Sequence, residues 1–363
     1  AHVPYRETMP NTEHYIKNVA PAAGNRQSMP TLELPDGEII RDGVAIIDHF
    51  ENKSGHGFSP GTPKQRVINR LLDVIGAEGL LRPAMHYRWS FNETNLDYLQ
   101  NEFGAGIVPG ADQDTKKQVF EFASGRMRKA AAGFGVTEES KPLIEQSYSE
   151  FLQLFSQHLE AAPYLLGNRP TLGDYGLIGP LYAHLARDPY PAAKMRTEAP
   201  QVFRWVERMH APHQVAVEYQ TLKEDLFESD AVPATLKTLM SFIAEEYLPE
   251  IEANVAFANE WLDRHPGIEA GTNGLDKPGE RTIGLSEFSW RGITLSTLVM
   301  PYRFYLLQRL QDSVSEASDA GQAFIKSVFA ETGLASLLDI RTHRRVERVK
   351  HLEVWGPDLR LKN

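Results

Sequence analysis

The sequence contains no cysteine among its 363 residues. Disulfide bonds, zinc sites built from thiolates, thiol redox motifs and cysteine nucleophiles are therefore excluded. Basic residues are in the minority, since 38 Lys and Arg face 48 Asp and Glu and give a net charge of −10. A negative chain repels phosphate backbones and anionic lipid, so we expect no nucleic acid among its main partners.

Long apolar runs and metal motifs are also lacking. No run reaches the ~18 apolar residues of a membrane span, and the first residues lack the charged and apolar regions of a signal peptide. We therefore expect no membrane partner and a cytoplasmic location. No pair among the twelve histidines has the spacing of a metal-binding motif, so no metal is expected. At ~150 residues per domain, this length predicts two or three folding units.

The first fifty residues combine strand and helix patterns. Residues 3–7 are predicted to form a short strand, and residues 11–19 a short helix. Two alternating apolar runs flank an Asp-Gly turn at residues 36–37, which predicts a β-hairpin. Apolar residues then recur at helical spacing after Asp42, whose carboxylate can cap the first amides of a helix.

Amphipathic helices prevail beyond a stretch rich in Gly and Pro, residues 53–63, which predicts a linker. The clearest apolar stripe covers residues 144–159, whose spacings of three and four place its large side chains on one helix face. Thr171 and Asp174 have the spacing of a capping box, with Asp in place of Glu. We expect this pair to start a buried helix.

A further part begins near residue 213 and is predicted to be mainly helical. Its patterns indicate a long helix over residues 233–264 and a β-hairpin near residues 282–295. Residues 341–351 are rich in Arg, Lys and His. The favoured interpretation of this basic stretch is a solvated helix with a positive face, and the alternative is a patch for an anionic ligand.

The order of these elements resembles the glutathione S-transferase family, in which a thioredoxin-like α/β domain, a linker and an all-α domain follow one another. The resemblance rests on a strand at residues 3–6, Met29-Pro30 before the hairpin, a helix start at residues 42–47, and the capping motif at residues 167–174. It covers residues 1–210. The remainder is similar to the C-terminal extension of some long bacterial members.

The resemblance implies a domain organisation. The domains are a partial thioredoxin-like glutathione-binding domain (1–52), a linker (53–63), an all-α domain (64–212) and a mainly helical extension (213–363). The family's first strand and helix, which carry the residue that activates the thiol, do not precede the strand expected at residues 3–7. The favoured interpretation is that roughly 20 to 30 further residues lie upstream, from typical element lengths. The alternative is that the protein lacks this unit and a substitute fills the sheet. No thiol-activating residue is assigned.

The resemblance also implies a glutathione site. The backbone of Met29, before a cis Pro30, would pair with the cysteinyl backbone of glutathione, as an open strand edge captures a peptide. Asp42 and Gly43 lie where the family holds the γ-glutamyl carboxylate at a helix start. Gly43 stands where the family usually has a serine, and Asp42 repels a carboxylate while attracting the ammonium group of the ligand.

For the second substrate, residues 81–91 are the best candidate lining, because aromatic and methionine side chains suit an apolar electrophile. The predicted pocket residues are Met85, Tyr87, Arg88 and Trp89. The alternative is that these side chains belong to the core. The resemblance implies an enzyme in which the thiolate of glutathione attacks a small electrophile, and a homodimer. The competing interpretation is a non-catalytic scaffold or binding protein whose extension contacts partners.

Overall fold

The structure is a computed structural model that describes residues 3–26, 29–55, 57–211, 218–219 and 225–361. Its helices are α1 Ala20–Ala22, α2 Gly43–Ser54, α3 Pro63–Val74, α4 Leu81–Trp89, α5 Asn92–Ile107, α6 Gln113–Ala130, α7 Lys141–Leu159, α8 Leu172–Pro180, α9 Pro189–Glu198, α10 Pro200–His210, α11 Ala234–Arg264, α12 Pro301–Ser315 and α13 Asp319–Glu331. The strands are β1 Thr31–Glu33, β2 Ile39–Arg41, β3 Gly284–Trp290, β4 Ile293–Val299, β5 Arg344–Val349 and β6 Leu352–Asp358.

The N-terminal part contains the predicted hairpin and the helix after it. β1 and β2 pair antiparallel with Leu32 opposite Ile40, and α2 begins after Asp42, whose carboxylate accepts a hydrogen bond from the amide of Ala45 at 3.0 Å. The strand predicted at residues 3–7 is wrong, because this segment has no regular structure. A strand needs a ladder partner, and β1 pairs only with β2 among the described residues.

A thioredoxin-like sheet is larger than this two-stranded hairpin, so the thioredoxin-like domain stays a prediction. The predicted short helix is present as a π-helical turn, Tyr15–Val19, that continues into α1. Its side chains Tyr15, Val19 and Ala20 form a small separate core with Ile39 of β2. This packing holds the helical turn against the hairpin.

The middle of the chain is the predicted bundle of helices. The stripe at residues 144–159 lies in α7, and its apolar residues are buried. The capping box is present: the amide of Thr171 donates to Asp174 at 2.9 Å, and the side chain of Thr171 faces the first turn of α8. Asp174 also accepts from the amide of Leu165 and from the indole of Trp205, both at 3.1 Å. One carboxylate therefore ties α8 to α10 and to the preceding loop.

The C-terminal part contains α11, 31 residues long. The hairpin predicted near residues 282–295 is present, and its strands are β3 Gly284–Trp290 and β4 Ile293–Val299. The helix expected over residues 341–351 is wrong, because β5 pairs antiparallel with β6. Val346 of β5 and Trp355 of β6 are buried. Burial against α12 outweighs the helical tendency of this charged stretch, since secondary structure follows tertiary packing where the two differ.

A single large hydrophobic core extends from Val44 of α2 through the helical bundle to Trp355 of β6. The C-terminal part therefore shares its interior with the earlier helices. The domain boundary predicted between residues 212 and 213 lies outside the described residues, and the remaining boundaries stay predictions. In the part of the chain that is described, none of the helices has the length and apolarity needed to cross a membrane.

Candidate functional site

The loop before β1 carries the cis proline peptide expected from the sequence. The peptide bond between Met29 and Pro30 is cis, which confirms that expectation. Met29 is 78% exposed, while the carbonyl of Pro30 accepts a hydrogen bond from the amide of Asp42 at 3.0 Å. This bond brings the proline loop next to the start of α2, so two of the predicted ligand-binding segments lie side by side.

Asp42 is fully engaged within the protein. One carboxylate oxygen accepts the amide of Ala45, and the other accepts a hydrogen bond from the guanidinium of Arg348 in β5. The next two amides, of Gly43 and Val44, have no acceptor among the described residues. A side-chain carbon at Gly43 would meet no atom within 4 Å. The start of α2 is therefore open and offers two free N–H donors.

Three arginines meet beside Asp42. Arg26, Arg41 and Arg348 all donate to the carboxylate of Glu353, with Arg41 at 3.1 Å and Arg348 at 3.2 Å. All five side chains are buried or mostly buried. Three cations and two carboxylates leave this arginine cluster with a net charge of +1. Burial opposes ionisation of Glu353, but the three guanidinium groups outweigh it and lower the pKa of its carboxyl.

The arginine cluster combines residues that sequence reasoning did not bring together. Arg348 belongs to the basic stretch for which an anion patch was the alternative interpretation. No sequence motif pointed to Arg26, Arg41 or Glu353. Arg41 and Glu353 are 312 residues apart, and a contact over such a separation cannot be recognised from local spacing. The missing information was the hairpin β5–β6, which carries Arg348 and Glu353 to the first hairpin.

An open groove of about 610 Å³ adjoins this cluster. It is lined by Pro21, Ala22, Gly24, Asn25, Pro278, Gly279, Lys350, His351 and Leu352. His351 lines the groove, and its backbone carbonyl accepts a hydrogen bond from Arg41 of the cluster at 3.0 Å. The groove is large enough for a small organic molecule, since ligand sites usually measure ~300–1,000 Å³.

The residues predicted to line the electrophile pocket lie on α4, where the structure packs them into the bundle. Tyr87 is buried, and burial raises the pKa of its hydroxyl. Arg88 donates to both carboxylate oxygens of the buried Asp188, at 2.7 and 2.8 Å. Met85 and Trp89 are both partly buried. Since Arg88 already neutralises Asp188, it has limited capacity to hold an acidic substituent of a substrate.

Two small cavities lie inside the bundle. Each has a volume of about 30 Å³, enough for ~1 water molecule. Their linings include Phe151 and Phe242 but none of Met85, Tyr87, Arg88 and Trp89. The assignment of those four residues to a substrate pocket therefore stays a prediction. Within the described ranges, no group of three or more His, Asp or Glu side chains has an arrangement that could hold a metal ion.

Comparison with known families adds one match. Residues 137–208 match the family model described as "Glutathione S-transferase, C-terminal domain". The matched segment runs from just before α7 to α10, and it includes the capping box of α8. Searches of curated proteins and of solved structures found no match to this chain.

Proposed function

We propose that the chain is a glutathione S-transferase-like enzyme, and the match of residues 137–208 to the C-terminal domain of that family supports this proposal. In the proposed reaction, the thiolate of bound glutathione attacks a small apolar electrophile. A carbon–sulfur bond forms, the leaving group departs with the electron pair of its bond, and the thiol proton passes to solvent. Glutathione is thus a co-substrate, and the protein is proposed to act in the cytoplasm.

The geometry around Met29 carries this proposal. Met29, which precedes the cis peptide, is exposed. The hydrogen bond between Asp42 and Pro30 brings its loop next to the start of α2, where the amides of Gly43 and Val44 have no acceptor among the described residues. A tripeptide needs backbone partners along its length and an anion site for its terminal carboxylate. The exposed backbone at Met29 and the amides at the start of α2 are the proposed partners of these two kinds.

Binding is the first test of the proposal. Isothermal titration calorimetry with glutathione at millimolar concentration is expected to give a saturable heat, because two of the ligand's anchoring segments are present. An activated aryl halide added with glutathione should then yield a conjugate faster than in buffer. Absence of binding heat together with an unchanged melting temperature at millimolar glutathione would refute the proposal.

The alternative is a non-catalytic scaffold or binding protein, and one observation favours it. Both oxygens of Asp42 already have donors inside the protein, Ala45 and Arg348, so this carboxylate has little left to offer an ammonium group. A scaffold would keep its fold and bind no glutathione, and the titration above separates the two functions. We also propose a homodimer. The electrophile pocket remains a proposal too, with the lining Met85, Tyr87, Arg88 and Trp89.

A further inference from the structure

We propose that Arg348, in the C-terminal extension, is a positioning residue of the glutathione site. Its guanidinium cancels the charge of Asp42, so that the α-carboxylate of the γ-glutamyl group can bind at the free amides of Gly43 and Val44. This inference rests on the proposed function, and it adds a role for a part of the chain outside the matched domain. It makes the hairpin β5–β6 a part of the binding site.

The need for a cation arises at Asp42. A negative side chain at the start of α2 repels an incoming carboxylate, although the amides of Gly43 and Val44 attract one. Charges a few ångströms apart interact strongly when water is excluded, so an uncompensated Asp42 would oppose the helix N-terminus. Gly43 provides no hydroxyl donor that could offset this repulsion. A fixed cation on Asp42 removes the conflict.

Arg348 is held in place as such a cation. Its guanidinium donates to Asp42 and, at 3.2 Å, to Glu353. Its carbon Cζ lies 5.7 Å from the ring centre of Tyr302 and 5.1 Å from that of Tyr305, so aromatic rings add to its fixation. The side chain is only 14% exposed. Burial lowers the pKa of Arg348, but the carboxylate of Asp42 outweighs it, so the group stays cationic.

The surroundings favour an anion as well. The arginine cluster has a net charge of +1 after Asp42 and Glu353 are counted, and the buried Nε atoms of Arg26 and Arg348 have no hydrogen-bond partner within the part of the chain that the structure describes. Space is available directly at Gly43, where a side-chain carbon would touch nothing. A carboxylate bound at this point would accept hydrogen bonds from the free amides of Gly43 and Val44. Its negative charge would balance the net charge of +1 on the arginine cluster.

The test compares glutathione with an analogue in which 4-aminobutyryl replaces the γ-glutamyl group. The analogue keeps the amine and lacks only the carboxylate that Arg348 is proposed to serve. Calorimetry compares four full-length proteins. They are the unmodified chain, the single variant Arg348→Ala, the double variant Asp42→Asn with Arg348→Ala, and the control variant Arg345→Ala. Arg345 lies on the same strand but pairs with Asp312 at the surface. Asparagine at position 42 has the same shape as aspartate and retains a side-chain oxygen that can cap the helix.

Arg348→Ala is expected to weaken glutathione binding ~10- to 100-fold, the effect of losing an interaction with a charged group. Binding of the analogue should change less than ~3-fold, a small fraction of that loss. Asparagine at position 42 should restore glutathione binding in the double variant, because it removes the charge that Arg348 cancels. Arg345→Ala should bind both ligands as the unmodified chain does.

Three outcomes would overturn the inference. Arg348→Ala could bind glutathione with unchanged affinity, it could lose both ligands equally, or the double variant could stay as weak as the single one. The last two results would assign Arg348 a structural role only. If the unmodified chain fails to bind glutathione, the proposed function itself is refuted, and the inference falls with it.

Discussion

Asp73 on α3 illustrates what burial does to one carboxyl in this fold. It is 4% exposed and lies 3.6 Å from a guanidinium nitrogen of Arg70. Its backbone and carboxylate crowd the position where Gly176 of α8 would carry a side chain. Burial raises the pKa of Asp73 to about 6 from its ordinary value of 3.8, and the charge of Arg70 opposes this shift only in part.

This shift makes stability depend on pH. Because the folded state holds the proton more tightly than the unfolded state, the contribution of Asp73 to the free energy of unfolding is full below about pH 4 and is lost as the pH rises through about 6. A shift from 3.8 to about 6 corresponds to ~3 kcal/mol. Asp73→Asn removes the titration, so the stability of this variant relative to the unmodified chain should rise by ~2.5 kcal/mol between pH 4 and pH 7. Urea denaturation at both pH values measures the difference, and a constant difference would contradict the prediction.

Helix packing in the bundle depends on a contact between two glycines. The π-helical turn Ile75–Gly79 follows α3 and packs against α8. A side-chain carbon at Gly76 would lie 2.1 Å from the carbonyl carbon of Gly176 and 2.3 Å from the amide nitrogen of Leu177. These neighbours are backbone atoms that cannot rotate away, so the two elements approach this closely only while position 76 lacks a side chain.

Gly76→Ala should therefore lower the free energy of unfolding by ~3 kcal/mol, the upper part of the range for overpacking. The matched control is Gly125→Ala in the middle of α6, where the new methyl group meets no atom within 4 Å. That variant should gain up to ~1 kcal/mol from helix propensity. Thermal or urea unfolding of both variants measures the contrast. Equal effects of the same sign would show that the close approach does not limit packing.

At the scale of the whole molecule, one core joins the helical bundle to the C-terminal hairpin. Trp355 of β6 is fully buried, with its ring 6.1 Å from Trp261 of α11 and 6.3 Å from Phe304 of α12. The same core continues to Val44 near the candidate site. Because buried residues of the extension, among them Trp355, belong to the same core as the bundle, we expect the two parts to unfold together.

Trp355→Ala is expected to lower the free energy of unfolding by ~3–5 kcal/mol, as for other buried aromatic side chains. Far-UV circular dichroism and tryptophan fluorescence should still report one shared transition. The control Leu285→Ala removes an outward-facing side chain of β3 that is 54% exposed, and it should change stability by less than ~0.5 kcal/mol. Two separated transitions in the unmodified chain would contradict the shared core.

The sequence by itself determined the features that depend on neighbours along the chain. The Asp-Gly turn at residues 36–37, the cap at Asp42, the stripe of α7 and the box of Thr171 and Asp174 involve residues only a few positions apart. Such signals act through local backbone geometry and helical spacing, so they can be recognised without the fold. The resemblance to the transferase family likewise rested on these local motifs.

Only the tertiary structure decided which distant groups meet. Residues 344–349 form a strand because β6 lies beside them, and a partner of this kind cannot be inferred from the charge pattern. Arg348 and Asp42 are 306 residues apart, and Arg88 and Asp188 are 100 residues apart. Burial and ion pairing depend on what the fold places opposite a side chain, which composition and spacing do not specify. For that reason the start of α2 at Asp42 was predictable from the sequence, whereas the pairing of Asp42 with Arg348 was not.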